Sequence, residues 1–238
     1  DWHNNRASLQ IGTLNYSVQA IDKLSAAFDQ IIFIPGNHDE HYRDTREMNS
    51  VVWAKKYDNV RIFDEITTVD DVCITPWLVG DEHKQIKKIE AKYMFGHFEL
   101  PSFYMNAMVQ MPDVGDLRRD DLKCETVFTG HFHKRQTNKN ITYIGNAFPH
   151  NYADVGDDDR GCMILDWGKD PVYVAWPDAP KYRKFLLSEI LEDTDRLLLS
   201  NMYCRVEIDV DISYEEATFI KEQFIPQYNL RELSLIQR

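Results

Sequence analysis

Residues 14 to 28 carry Leu14, Val18, Ile21, Leu24 and Phe28 at intervals of three and four, which predicts an amphipathic helix with one buried stripe. The next stretch, IIFIPGNHDE, begins with an unbroken apolar run. That run suits a strand covered on both faces in a parallel sheet, and Pro35 with Gly36 ends it sharply. Short apolar runs follow in VCITPWLV, KYMFGHFEL, ETVFTGHFH, ITYIGN, GCMILDW and PVYVAW, each a candidate strand. With the helical pattern concentrated in the first half, this series predicts an α/β architecture, a mixed sheet or two packed sheets flanked by helices. The tail differs. In CRVEIDVDI, Cys204, Val206, Ile208, Val210 and Ile212 alternate with polar residues, the mark of a strand with one wet face. Ser213 and Glu216 have the spacing of a capping box, opening a helix that turns Ala217, Ile220 and Phe224 inward, and LRELSLIQ supplies a closing strand. The tail is thus a small β-α-β unit, and PDAPKYRK (177 to 184) reads as the linker before it.

Composition narrows the picture. The 238 residues are 43% hydrophobic and 28% charged, ordinary for a globular chain that buries a real core. No apolar run approaches the roughly 18 residues of a membrane span and no leader-like segment is visible, so a cytoplasmic location is expected. The cysteines, Cys73, Cys124, Cys162 and Cys204, form no C-x-x-C pair, which argues against a zinc knuckle or redox motif and for buried free thiols. A net charge of −12 weighs against a nucleic-acid partner in general, because phosphate backbones favour basic surfaces. Of the local basic clusters, only HKRQTNK (133 to 139) touches residues of chemical interest; the others are solvated surface.

Polar motifs fall where strands should end: DWH (1 to 3), GNHDE (36 to 40), GHFE (96 to 99) and GHFH (130 to 133). Loops at strand ends are where α/β folds build their sites. In an extended chain residues two apart face the same way, so His131 and His133 should look into one place. Together the motifs offer Asp1, His3, Asn37, His38, His97, His131 and His133. This mixture of imidazole, carboxylate and amide suits Mn²⁺, Fe²⁺ or Zn²⁺ and is too rich in nitrogen for Ca²⁺. It exceeds what one four-coordinate ion needs, so two ions are inferred.

The order D-x-H, G-N-H-D, G-H and G-H-x-H resembles the calcineurin-like metallophosphoesterases, and within them the SbcD-type, or meiotic-recombination-eleven, DNA nucleases, especially their bacteriophage members. The stretch TYIGNAFPHNYADVGDDDRGCMILDW and the β-α-β tail strengthen the likeness, which covers roughly residues 1 to 225. The resemblance implies a metallophosphoesterase β-sandwich flanked by helices over residues 1–180, and a capping domain over 181–238. It implies two divalent cations, Mn²⁺ first and Mg²⁺, Fe²⁺ or Zn²⁺ as alternatives. One would be held by Asp1, His3 and His133, the other by Asn37, His97 and His131. It gives His38 the catalytic role at the scissile phosphate, makes Asp39 a residue that orients the loop or His38, and sets Lys134 and Arg135 against DNA phosphates. The implied activity is exonucleolytic and endonucleolytic cleavage in recombination and double-strand-break repair. The implied partners are DNA, an SbcC-type ATPase subunit and a second copy in a homodimer, with no membrane, in the host cytoplasm for a phage protein.

One departure stands out. The family's G-D-x-x-(D/N) motif, whose Asp bridges the two metals, is absent, and the stretch from His3 to Gly36 holds one helix with no room for a further strand and crossover. The expectation is that a segment carrying it belongs between His3 and Asn5. Two rival readings remain open: a phosphatase or cyclic-nucleotide phosphodiesterase with the same metal chemistry, and a metal-free, non-catalytic scaffold. His41, His83 and His150 are read as surface or hydrogen-bonded residues, DVGDDDRG (154 to 161) as a solvated turn, and the aromatics of FELPSFYMNAM (98 to 108) as core.

Overall fold

The computed structural model describes residues 1–237. In chain order the elements are α1 (Ile11–Ala27), β1 (Ile31–Phe33), β2 (Val60–Ile62), β3 (Thr67–Val69), β4 (Val72–Ile74), α2 (His83–Ile86), β5 (Tyr93–His97), β6 (Thr126–Gly130), β7 (Gln136–Asn138) and β8 (Ile141–Tyr143). They continue with β9 (Cys162–Ile164), β10 (Val172–Val174), β11 (Lys181–Leu186), α3 (Leu187–Glu192), α4 (Thr194–Leu197), β12 (Met202–Ile208), α5 (Tyr214–Gln227) and β13 (Glu232–Gln237). The chain divides into two compact units. One comprises residues 1–105 and 110–144, the other 106–109 and the residues from Gly145 onward. The architecture is mixed α/β.

In the first unit a six-stranded sheet runs in the order β3-β4-β5-β6-β8-β7. Its four central strands are parallel and its two edges antiparallel. The central strands are apolar along their length, as a sheet covered on both faces requires. Met94, Val127 and Ile141 are fully buried among Cys73, Ile86 and Leu100. The exit from β5 is held by hydrogen bonds rather than by packing alone. Thr129 Oγ1 accepts from Phe98 N at 2.9 Å, and the buried Tyr143 hydroxyl accepts from Leu100 N at 3.2 Å and donates to Phe98 O at 2.9 Å. Burial, with the Glu99 charge adding, pushes the Tyr143 phenol far above its usual range, so it stays a hydroxyl.

β1 and β2 form a separate parallel pair, with α1 packed on them through Ile21 and Leu24. The predicted helix starts three residues earlier than its apolar pattern, and its stripe is narrower. Leu14 and Phe28, expected inside, are 37% and 57% exposed, whereas Ser17 is buried because it hydrogen-bonds a buried histidine. Ile32, expected under cover, is exposed because β1 has one neighbour instead of a sheet on each side.

In the second unit β11, β12 and β13 form a parallel sheet. Alternate residues of β12, Met202, Cys204 and Val206, are buried in a cluster that includes Leu187, Ile190 and Leu233. The capping box is present, with Ser213 N donating to Glu216 Oε2 at 2.8 Å and Glu216 N to Ser213 Oγ at 3.2 Å. Lys181–Leu186 is a strand and not the end of a linker; Tyr182 pairs with Tyr203 and stacks on it at 4.6 Å, on the face of β12 opposite Met202 and Cys204. β9 and β10 form an antiparallel hairpin, on which Cys162 is exposed, unlike the other three cysteines. The acidic turn is also less solvated than its composition suggested. Asp154 and Arg160 are buried, with Arg160 Nη2 3.2 Å from Asp154 Oδ1 and 3.1 Å from Asp157 Oδ2. The ion pair ties the turn down because charges that leave water must meet each other.

Replacing Arg160 by Met would strand the Asp154 carboxylate in the interior. Urea denaturation is expected to show a loss of about 3–5 kcal/mol, partly restored when Asp154→Asn is added.

Candidate metal centre

Four of the predicted site residues meet at one end of the six-stranded sheet. β5 and β6 pair in parallel with His97 opposite Gly130, so the last residue of one strand and the first beyond the other emerge together. The Asn37 amide oxygen lies 3.0 Å from His97 Nε2 and 3.0 Å from His131 Nδ1, and those two nitrogens are 3.3 Å apart. Asp1 Oδ2 lies 3.5 Å from His97 Nε2. Ligands about 2.1 Å from a divalent ion stand about 3.0 Å apart at a right angle and about 3.4 Å apart at the tetrahedral angle. The observed separations therefore match the edges of a coordination polyhedron. The amide is indispensable to the set: among the described residues, no three His, Cys, Asp or Glu side chains by themselves form a group able to hold a metal ion.

The loop after β1 is shaped by what crosses it. A methyl group on Gly36 would stand 2.6 Å from His97 Cε1 and closer still to the Asp1 carboxylate, so only glycine lets the backbone pass. Asp39 binds the loop to the chain start: its carboxylate accepts from Gly36 N at 2.9 Å, Trp2 N at 2.9 Å and His3 N at 3.0 Å. Asp1 Oδ1 accepts from His38 N at 2.9 Å. Arg6, which the motifs did not single out, donates from Nη2 to the Asn37 carbonyl. Trp77 walls the site, its ring 5.2 Å from that of His131 and 6.0 Å from that of His97. Glu99 Oε1 lies 3.9 Å from His131 Nε2. A tryptophan after a strand carries no spacing signal, so sequence could not reveal its role; Glu99 was visible in GHFE.

Other candidates sit differently. His3 is buried, with Nδ1 2.7 Å from Ser50 Oγ and Nε2 3.0 Å from Ser17 Oγ, so both ring nitrogens are already engaged. His38 holds the carbonyl of Asn4 at 2.8 Å through Nδ1. A carbonyl only accepts, so Nδ1 carries the proton and Nε2 is left with its lone pair. The face-sharing argument for His131 and His133 fails, because β6 stops at Gly130 and His131 has φ +87°. His133 is placed by its backbone N–H, which donates to Met105 O at 2.9 Å. The Lys134 ammonium lies 4.9 Å from the centre of the Tyr104 ring, and Arg135 Nε reaches the carbonyl of Ile144 at 3.4 Å.

Among curated proteins, the exonuclease subunit 1 of Enterobacteria phage T4 is 32% identical to this chain over 171 residues, which cover 68% of the chain and 49% of that protein. The chain belongs to the SbcD-type nuclease family. It spans about half the length of the curated relative it matches. No family model matches it.

In this SbcD-type chain the electrostatics suit a metal. Burial lowers the His131 imidazole to about 4 and holds His97 well below its usual range. Both rings are therefore neutral at pH 7, the state a ligand needs. Beside the loop, Glu40 is fully buried with neither carboxylate oxygen hydrogen-bonded, and burial pushes its carboxyl up to about 7 against the pull of Arg46.

Two stability tests follow from these environments. A non-glycine residue at positive φ is strained, so His131→Gly should be more stable than His131→Ala by about 1 kcal/mol in thermal denaturation. For Glu40, the folded pKa lies above the unfolded one, so its contribution is fully present below about 4.5 and is lost as pH rises through about 7. Glu40→Gln should accordingly melt higher than the parent at pH 8, with the gain gone by pH 4.5.

Proposed function

We propose that this chain is the nuclease subunit of an SbcC–SbcD-type complex, hydrolysing DNA phosphodiester bonds with Mn²⁺ in recombination and double-strand-break repair. The observation that carries the reading is the convergence of Asp1, Asn37 and the neutral imidazoles of His97 and His131, at coordination spacing, at the ends of parallel strands. The T4 relative's description as an exonuclease subunit supports it. The metallophosphoesterase sandwich, the capping domain over 181–238, the homodimer and the SbcC-type ATPase partner belong to the same proposal.

Those four residues would hold one ion. A second would draw on Asp1 and His133, and on His3 once it leaves Ser17 and Ser50. Bound divalent ions supply an activated water and charge for the phosphate oxygens. The protein supplies the rest. Asp39 and Arg6 fix the loop that carries Asn37 and His38. The His38 ring, oriented by Asn4, presents Nε2 as the nitrogen that takes up a proton and delivers it to the leaving oxygen. Lys134 and Arg135 offer charge to the DNA backbone beside the site, where added metal charge offsets the −12 of the whole chain locally.

Manganese is expected to drive degradation of linear duplex DNA, and hydrolysis of nucleotides or cyclic nucleotides with the duplex left intact would overturn the nuclease assignment. Metal occupancy has a separate readout in Trp77. Paramagnetic Mn²⁺ should quench its fluorescence, and both Trp77→Phe and His131→Ala should remove that response. His38→Gln is expected to keep the quench while losing about 100-fold or more in hydrolysis.

A further inference from the structure

The segment between His97 and His131 contains one aromatic ring with no place in the core. Phe98, Leu100 and Phe103 are buried to within 2% of completely, yet Tyr104, the next residue, is 41% exposed. A single exposed tyrosine is unremarkable in itself. This one is held in place with unusual thoroughness. The Gln136 side chain brackets its peptide, accepting from Tyr104 N at 2.8 Å and donating to Tyr104 O at 2.6 Å. Tyr104 also bridges Gln110 in antiparallel fashion, while Met111 N donates to Phe103 O at 2.7 Å on one side and His133 N to Met105 O at 2.9 Å on the other. The backbone that carries the ring is thus anchored to the residue two beyond His131, and the Lys134 ammonium sits over the ring at 4.9 Å.

We propose that Tyr104 is a stacking platform for a nucleobase next to the phosphate processed at the metal centre, with Lys134 serving the adjoining backbone phosphate. The proposal rests on the nuclease reading and names how that site engages its substrate. An exposed ring on a backbone already ordered is what stacking needs, because Gln136 and His133 fix the segment's main chain before the ligand arrives. Base stacking on an aromatic side chain tolerates any base, which fits an enzyme that must process arbitrary sequence. Lys134 cannot satisfy its charge on a tyrosine ring as fully as on a phosphate. A nucleotide offers both partners at once, a base for the ring and a phosphate for the ammonium.

The test is an oligodeoxynucleotide carrying 2-aminopurine at its end, titrated with the protein in chelator so that no hydrolysis occurs. Stacking quenches this fluorophore. The parent, Tyr104→Phe and Tyr104→Trp should quench it. Tyr104→Leu, with its melting temperature checked against the parent, should lose the quench and bind about 5- to 100-fold more weakly. Equal quenching by the parent and Tyr104→Leu, or no binding of the oligonucleotide at all, would overturn the platform. Duplex hydrolysis measured separately with Mn²⁺ keeps the two claims apart. A protein that cuts DNA but quenches without Tyr104 loses the platform and keeps the nuclease reading. One that quenches through Tyr104 but cuts nothing keeps the platform as a nucleic-acid-binding element and loses the nuclease reading.

Discussion

The parallel register of β5 against β6 is the constraint on which the candidate centre depends. It sets His97 opposite Gly130, so that His131 follows at the same height on the next strand and both imidazoles close on a single amide oxygen. A shift of one residue would turn His97 to the opposite face of the sheet. The register is in turn secured by the apolar residues between the strands' ends and by Thr129 and Tyr143, which bind the backbone just past His97. Rigid strands carry the donors and short loops close over them, which is how a chain of modest size holds polar groups in fixed positions.

Unfavourable local choices gather around this point. His131 sits at positive φ, His97 and His131 are stripped of water, and Glu40 is buried with no hydrogen bond to its carboxylate. Each opposes folding. Elsewhere the same chain follows ordinary rules, with Arg160 paired to Asp154, the Ser213 box closing α5, and continuous apolar packing through Met94 and Val127. Strain at His131 and desolvated imidazoles at the end of one sheet are what a site kept for chemistry at some expense of stability would show.

The acidic character of the whole chain and a phosphate-binding role are compatible once the scale of each is considered. Charges farther apart than about 8–10 Å are largely screened at physiological salt, so a substrate responds to the groups beside it. At the candidate centre those are neutral imidazoles and the Asp1, Asp39 and Glu99 carboxylates, with Arg6, Lys134 and Arg135 nearby, so in the proposed loaded state the divalent cations would supply the decisive positive charge.

Sequence by itself determined the donor chemistry and the more apolar elements, though not β2, β3, β7 or β11. Every apolar run named as a strand is one, because alternation and β-branched content are local properties, and the Ser213–Glu216 box is legible because capping spans four residues. The motifs at strand ends likewise marked Asp1, Asn37, His97 and His131, since a donor's chemical type is written in its side chain. Tertiary structure decided which donors meet. His3 carried the same signal as His97, but two serines distant in sequence claim it. Trp77 and Arg6 carried none and still wall and brace the site. Likewise Arg160 looked solvated in an acidic turn and is buried. The placements of His3, Trp77 and Arg6 turn on contacts between residues far apart in the chain, and the burial of Arg160 on how its turn packs, neither of which short-range periodicity encodes.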